Sequence, residues 1–435
     1  MNRLARESGF FPFSFYLFPY SVVFDTVRPP MSPERPRILF VDHVSKVLGG
    51  AEVNLLELLA LPDARTRWDA SVACAPGSPL AAALAKLEVP CHTYGFAPAL
   101  NELRVVGRGF NPIAKLRGWQ ELQRATGRLR EIVAGVRPDV LLSCANKDHF
   151  TAGVVAADTG RPSVWWVNDI LSADFFSWPV RRVFAVKARK LATRLAPVSD
   201  YGRAALIAEG VPADRVVTIH NGIPLERYRR GDSTLLRDRL KVSPGEPLFG
   251  LVGRITPWKG QDLFLRLAAE WATAGRPGRF VIIGRAFNED EPFEASLKEF
   301  VRYHRLESRV HFVAFQADIA ATLSQLDVLL HCSTKPEPFG RVLIEAMAVG
   351  VPVIGARAGG VPEILTDGVD GLLASPGSMA DYSRHMVALT EDRARCAALA
   401  AEGRRTVERR FTLERVFADF DRVIAGVLSS PSPGA

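Results

Sequence analysis

Short, continuous apolar runs alternate with helix-length segments along most of this chain, and the series runs through twice. The first pass predicts strands at Arg37 to Asp42, Asp69 to Ala75, Val140 to Ser143, Ser163 to Val167, Arg194 to Val198 and Val216 to Ile219. The second predicts them at Leu248 to Gly253, Arg279 to Ile283, Val310 to Val313, Val328 to His331 and Val351 to Ile354. Runs that do not alternate with polar residues suit parallel strands covered on both faces. Two βα series in succession predict an α/β chain with two doubly wound, Rossmann-like parallel-sheet domains. Ligands of such sheets bind beyond the strand carboxyl ends, so functional residues are expected in loops facing a central cleft.

A chain of 435 residues, 48% hydrophobic and 23% charged, has room for two such domains and is globular rather than disordered. Residues 1–35 are expected to form an extension outside the fold, with 36–228 as the first domain, 229–246 as a linker, 247–410 as the second domain and 429–435 as a disordered tail. Within the extension, Phe10 to Phe24 is apolar but interrupted by Pro12 and Pro19, too short to span a bilayer. An interfacial anchor and a start placed upstream of Met31 are the two readings of it. The net charge of +8 and pI near 9.4 favour acidic partners. Five scattered cysteines give neither metal spacing nor a disulfide frame, which fits a reducing, cytoplasmic compartment.

The stretch Glu337-Pro338-Phe339-Gly340-Arg341 carries the most chemistry. Pro338 suits the first position of a helix, which would leave the amides of Phe339, Gly340 and Arg341 as donors for an anion. Glu345, seven residues past Pro338, would sit roughly 10 Å along that helix, about the span from a diphosphate to its ribose hydroxyls. Glu337 would lie on the phosphate side. The plainer reading is an Arg341–Glu345 surface ion pair, but the apolar residues from Val342 to Ala348 predict a buried helix. In Gly253-Arg254-Ile255-Thr256-Pro257-Trp258-Lys259-Gly260, two cations flank a strand-end loop, placed to neutralise a diphosphate or merely to be solvated. Gly49-Gly50-Ala51-Glu52 and Gly359-Gly360-Val361-Pro362-Glu363 are further glycine-led helix starts. No G-x-G-x-x-G directly follows the first strand, which argues against a dinucleotide dehydrogenase.

Taken together, these motifs resemble those of the retaining GT-B nucleotide-sugar glycosyltransferases of family 4, from about Arg37 to Leu428. The similarity includes Glu337-Pro338-Phe339-Gly340 with Glu345, Gly253-Arg254 with Lys259-Gly260, Gly49-Gly50-Ala51-Glu52, Val198-Ser199, His220-Asn221-Gly222-Ile223, Asp367-Gly368 and Gly371-Leu372. It implies that Arg254 and Lys259 hold the donor diphosphate, with Gly253 in the same loop. Backbone groups of Phe339, Gly340 and Arg341 would assist, Glu345 would bind the ribose and Glu337 the donor sugar. Gly50 would approach from across the cleft, and the base would lie near Gly284-Arg285 and Phe315-Gln316. Transfer to an acceptor hydroxyl would keep the anomeric configuration, with no cofactor and no divalent metal. A helix over residues 411–428 would return to the first domain.

The chain departs from the family where Asn168-Asp169 replaces a His-Asp pair; asparagine carries no proton, and Asp169 is the expected contact to the reacting groups. His149 is read as an ordinary loop histidine. Arg104, Arg108, Lys115 and Arg117, and separately Arg181, Arg182, Lys187, Arg189, Lys190 and Arg194, are either solvated helix faces or a contact with an anionic membrane bearing a lipid-linked acceptor. The expected role is assembly of a cell-surface polysaccharide or glycolipid from a nucleotide sugar and a carbohydrate or lipid-linked acceptor, without nucleic acid. A sugar-nucleotide epimerase and a non-catalytic nucleotide-sugar-binding subunit are the alternatives. Base, sugar and acceptor are not identified.

Overall fold

The computed structural model describes residues 35–44, 48–96, 112–231, 233–316 and 318–429. Two six-stranded sheets, parallel throughout, form the frame. The first contains β1 Arg37–Asp42, β2 Asp69–Cys74, β3 Cys91–Thr93, β4 Val140–Ser143, β5 Ser163–Val167 and β6 Arg194–Pro197, in the order β3-β2-β1-β4-β5-β6. The second contains β7 Leu248–Val252, β8 Arg279–Ile283, β9 Val310–Val313, β10 Val328–His331, β11 Val353–Ala356 and β12 Leu372–Ala374, in the order β12-β11-β10-β7-β8-β9. The two orders are equivalent, so the doubly wound architecture expected from the sequence is present in both halves. Central strands such as β4, β5 and β10 are buried along their whole length, which is why their sequences do not alternate.

Two strand predictions are corrected, and two short strands are added. Residues 216–219 are not a sheet strand: Val217 N and Ile219 N donate to Leu195 and Pro197 beside β6, but the pairing is an isolated bridge and Val217 is exposed. The run placed at Val351 to Ile354 is shifted to β11, because Pro352 has no N–H for the ladder and enters it only through its carbonyl, which accepts from Leu329 N. The three-residue strands β3 and β12 were not anticipated.

Sheet order fixes where a ligand crevice opens. In the first sheet the order reverses between β1 and β4, and in the second between β7 and β10. The loops after these four strands hold nearly all the chemistry described below. The Leu413–Ser429 helix packs on the first half: Phe417 meets Trp68 at a tilt and Phe420 meets Trp166 edge to face, each at 4.7 Å between ring centroids. Trp68 Nε1 also donates to Asp421 Oδ1 at 3.0 Å. Such aromatic pairs add about 0.5–1.5 kcal/mol each beyond the area they bury. Among the described residues, no helix is long and apolar enough to cross a membrane. Residues 1–34 and 430–435, and Arg104 and Arg108 of the first basic stretch, lie outside the described residues, as does the side chain of Lys115.

Candidate functional site

The loops after β7 and β10 meet at an ion pair. Lys259 Nζ donates to both oxygens of Glu337, at 2.9 Å to Oε1 and 2.7 Å to Oε2. It also lies 4.4 Å from the centroid of the Trp258 ring. Glu337 Oε2 is shared with His331 Nε2 and Ser333 Oγ, both at 3.1 Å. Burial would raise the Glu337 carboxyl, but the Lys259 charge and the His331 hydrogen bond outweigh it and hold the group well below the usual carboxylate range. Oε1 carries only the lysine, so it retains lone-pair capacity for a hydroxyl donor.

Glu337 is fixed from below by a close backbone approach. Gly360 N donates to the Glu337 carbonyl at 2.8 Å, and Gly359, at φ +63°, pairs with Glu337 in an isolated bridge. A Cβ on Gly359 would fall 2.1 Å from the Glu337 carbonyl oxygen, so only glycine fits.

The helix start differs from the sequence expectation. It spans Arg341–Ala348, with Gly340 as N-cap at φ 107°, ψ 48°, so Pro338 lies in the preceding loop and is not the first helical residue. The left-handed glycine turns the chain before the helix begins. Glu345 therefore stands one turn above the helix start, not along a longer helix from Pro338. The amides of Phe339, Gly340 and Arg341 meet no acceptor among the described residues. Phe339 and Gly340 are both buried, where orphaned N–H groups are rare, so the turn presents unpaired backbone donors.

Arg254, after β7, is half exposed, and its one ion-pair contact among the described residues is with Asp290 at 3.9 Å. Across the cleft, Asn146 Nδ2 donates to Asp169 Oδ2 at 2.7 Å. Asp169 opens to the cleft, whereas Asn168 turns back to donate to the carbonyls of Cys144 and Trp166, each at 3.2 Å. Gly253 and Gly284 follow β7 and β8 and touch so closely that a Cβ on Gly284 would lie 2.0 Å from the Gly253 carbonyl oxygen. Phe315 beyond β9 is 65% exposed. Gly50 opens the Gly50–Ala60 helix with nothing within 4 Å of a Cβ built there.

Glu345 is less free than its ribose role suggests. Its Oε1 accepts from Arg341 Nε at 2.7 Å and Tyr228 OH at 3.0 Å, while Oε2 has no donor among the described residues. The Arg341–Glu345 pair is thus real but buried, not a surface pair. Arg341 also reaches the other half of the chain, to Asn54 Oδ1 and to Glu57 Oε2 at 2.5 Å. Burial opposes this guanidinium charge, but Glu345 and Glu57 more than offset it and raise its pKa.

A second tie between halves is Glu363, which accepts from the amides of Asp200 and Tyr201 at 2.7 Å each and from His220 Nε2 at 2.8 Å. Asp200, His220 and Glu363 bring metal-capable atoms within 4.8 Å of one another. Glu363 is already committed to these three donors, and Asp200 Oδ1 to Thr218 Oγ1 at 2.6 Å.

Two histidines are placed differently from the sequence reading. His149 lies within the Asn146–Asp158 helix, not in a loop; it is buried, stacked on Trp165 at 5.0 Å, bonded to Ser143 Oγ at 2.7 Å and pushed down to about 3, chiefly by burial. His43, at the end of β1, was missed altogether. Its Nδ1 lies 2.8 Å from Asp148 Oδ2. A histidine directly after the first predicted strand was the available signal. Nothing local joins it to Asp148, 105 residues on.

Two family models match in sequence. Residues 78–227 match "Glycosyltransferase Family 4" and residues 232–406 match "Glycosyl transferases group 1". The D-inositol 3-phosphate glycosyltransferase of Nocardia farcinica is 34% identical over 43% of this chain and 42% of its own length. The N-acetyl-alpha-D-glucosaminyl L-malate synthase of Bacillus anthracis is 27% identical over 51% of this chain and 57% of its own. The chain thus spans about half the length of these curated relatives. In structure, Anabaena HepE (Alr3699) bound to UDP and glucose superposes with a TM-score of 0.77 at 26% identity, over 90% of this chain and 100% of that one. HepE with UDP-glucose gives 0.78 at 25% identity, with the same coverage. Both halves of the fold, the motif loops and these matches agree: the chain belongs to the GT-B glycosyltransferases of group 1, family 4.

Proposed function

We propose that this protein transfers a glycosyl group from a nucleotide-diphosphate sugar to an acceptor hydroxyl, with retention of anomeric configuration. The observation that carries the reading is the Lys259–Glu337 pair beside the three unpartnered amides of Phe339, Gly340 and Arg341, at the reversal point of the second sheet. Residues 247–410 form the donor domain. Residues 36–228, completed by 411–428, form the acceptor domain.

The donor diphosphate sits against those amides with Arg254 and the third Lys259 proton on its oxygens. Glu337 Oε1 takes a hydroxyl of the donor sugar, Glu345 Oε2 takes the ribose, and the base lies toward Gly284 and Phe315, whose exposed ring suits stacking. The C1–oxygen bond to the diphosphate breaks as the acceptor oxygen bonds to C1 on the same face, and the acceptor proton passes to the departing diphosphate. Charge that develops on the leaving group meets two cations and fixed N–H dipoles, and this electrostatic stabilisation is the main source of rate that such a site supplies. No divalent metal has a role in this scheme. Asp169 lies on the acceptor side. A uridine nucleotide is the first candidate, since the HepE structures are complexes with UDP and with UDP-glucose. Acceptors are carbohydrate or lipid-linked, in cell-surface polysaccharide or glycolipid assembly in the cytoplasm. Arg182 and Lys190 on the Trp178–Leu191 helix, near the 65%-exposed Trp178, favour peripheral contact with an anionic membrane surface.

The test is to incubate the purified full chain with a panel of nucleotide sugars and acceptors and follow anomeric protons by NMR. Nucleoside diphosphate release that depends on acceptor, with the donor's configuration in the product, supports the reading. Interconverted sugar nucleotides without acceptor indicate an epimerase, and binding without turnover a non-catalytic subunit.

A further inference from the structure

The reversal point of the first sheet holds a histidine–carboxylate dyad that the donor site does not use. His43 follows β1 and Asp148 lies in the first turn of the helix after β4, so the fold brings both to the crevice opposite the donor loops. Asp148 is fully buried; its Oδ2 lies 2.8 Å from His43 Nδ1 and accepts from the His43 amide at 2.9 Å, while Oδ1 accepts from Tyr94 OH at 3.1 Å. Tyr94 is itself held at 2.7 Å by Thr151 Oγ1. The Phe96 ring meets the imidazole edge-on at 4.9 Å. A ring fixed through Nδ1–H by a buried carboxylate presents Nε2 as its acceptor atom. Nε2 has no hydrogen-bond partner among the described residues.

His43 also belongs to the same cleft as the reacting groups. Asn146, two residues before Asp148 in the same first helical turn, donates to Asp169 Oδ2 at 2.7 Å, so one helix start holds both His43 and Asp169. Burial raises the Asp42 and Glu52 carboxyls toward their neutral form, and Asp148 is committed to His43 and Tyr94, so this region offers hydrogen-bonding groups rather than a strong negative field.

The geometry points to His43 as the acceptor-binding residue, with Nε2 accepting a hydrogen bond from the attacking hydroxyl of the acceptor and Asp148 as its positioning residue. This deepens the transferase reading and rests on it. No bond forms to His43, and the hydroxyl proton still leaves with the diphosphate. The hydrogen bond aligns the oxygen lone pair toward C1 and raises the fraction of encounters that react.

The experiment uses the full chain and its His43→Ala and Asp148→Asn variants. Donor affinity is titrated with UDP-, GDP- and ADP-sugars. Nucleoside diphosphate release is then measured in water alone and with neutral monosaccharides and methyl glycosides. His43→Ala should keep donor Kd within about twofold of the parent, while acceptor-dependent kcat/KM falls about 100-fold, the scale for a misplaced reacting atom. Added imidazole should restore part of the loss, and Asp148→Asn should fall in the same parameter. An unchanged acceptor kcat/KM in His43→Ala overturns the proposal, as does a donor affinity that falls by the same factor. A parent chain that binds none of the nucleotide sugars fails at an earlier, separate step: the transferase reading itself falls, and this proposal with it.

Discussion

Lys259 and Glu337 are 78 residues apart in sequence, yet the lysine nitrogen lies within 2.9 Å of both carboxylate oxygens. One residue comes from the loop after β7 and the other from the loop after β10, and the pair fixes the two loops to each other. Lys259→Met leaves a largely buried carboxylate without its partner, a change that costs about 3–5 kcal/mol and lowers Tm by roughly 10 °C. The double variant Lys259→Met with Glu337→Gln should recover most of that stability but no transfer activity. Calorimetric melting and a turnover assay on the three proteins check this.

Arg341 joins the halves through Glu57 while holding Glu345 on its own helix. A double-mutant cycle on Arg341→Ala and Glu57→Ala should give a coupling of about 0.5–3 kcal/mol by urea unfolding, the range for residues in one charged network. Additive effects would mean that the halves are not tied here.

Glu345→Gln should weaken nucleoside diphosphate binding about tenfold, a loss near 1.4 kcal/mol. Parent and variant should bind the 2′,3′-dideoxy nucleotide with similar affinity, because the carboxylate then has no hydroxyl to accept from. Titration calorimetry with the ribo and dideoxy forms measures both.

His149 gives a pH prediction with a definite sign. Its folded pKa is pushed down to about 3 by burial, so between that value and the usual histidine value the unfolded chain holds the extra proton. Stability should therefore rise with pH across that window and flatten above about pH 6.5. His149→Gln should remove this part of the slope, read as urea midpoints against pH. Glu337 acts in the same direction at lower pH: its depressed pKa stabilises the fold above the ordinary carboxylate range, and that contribution is lost as pH falls below it.

Strands buried on both faces were legible because their sequences are largely apolar runs; β4, β5 and β10 fall at the predicted residues. The short strands β3 and β12 carry too few residues for any period to show. Pro338 was misread because a proline suits a helix start, but the left-handed turn at Gly340 delays the helix by three residues, and glycine's backbone freedom is not visible in a pattern of apolar positions. The acidic pair Glu337 and Glu345 was readable from local spacing. Of its partners, Arg341, four residues before Glu345 on one helix, was readable too; Lys259 and Tyr228 were not, because they reach these carboxylates through strand order and domain packing. The His43–Asp148 dyad was hidden for the same reason, since only the β1–β4 adjacency brings the two together.

The most direct test of the account is titration of UDP-, GDP- and ADP-sugars into the full chain and into its Arg254→Ala and Lys259→Ala variants. The account predicts saturable one-to-one binding of one nucleotide class by the parent, weakened at least about tenfold in each variant, as for loss of a charge-assisted hydrogen bond. Variants that bind as tightly as the parent, or a parent that binds no nucleotide sugar, would contradict it.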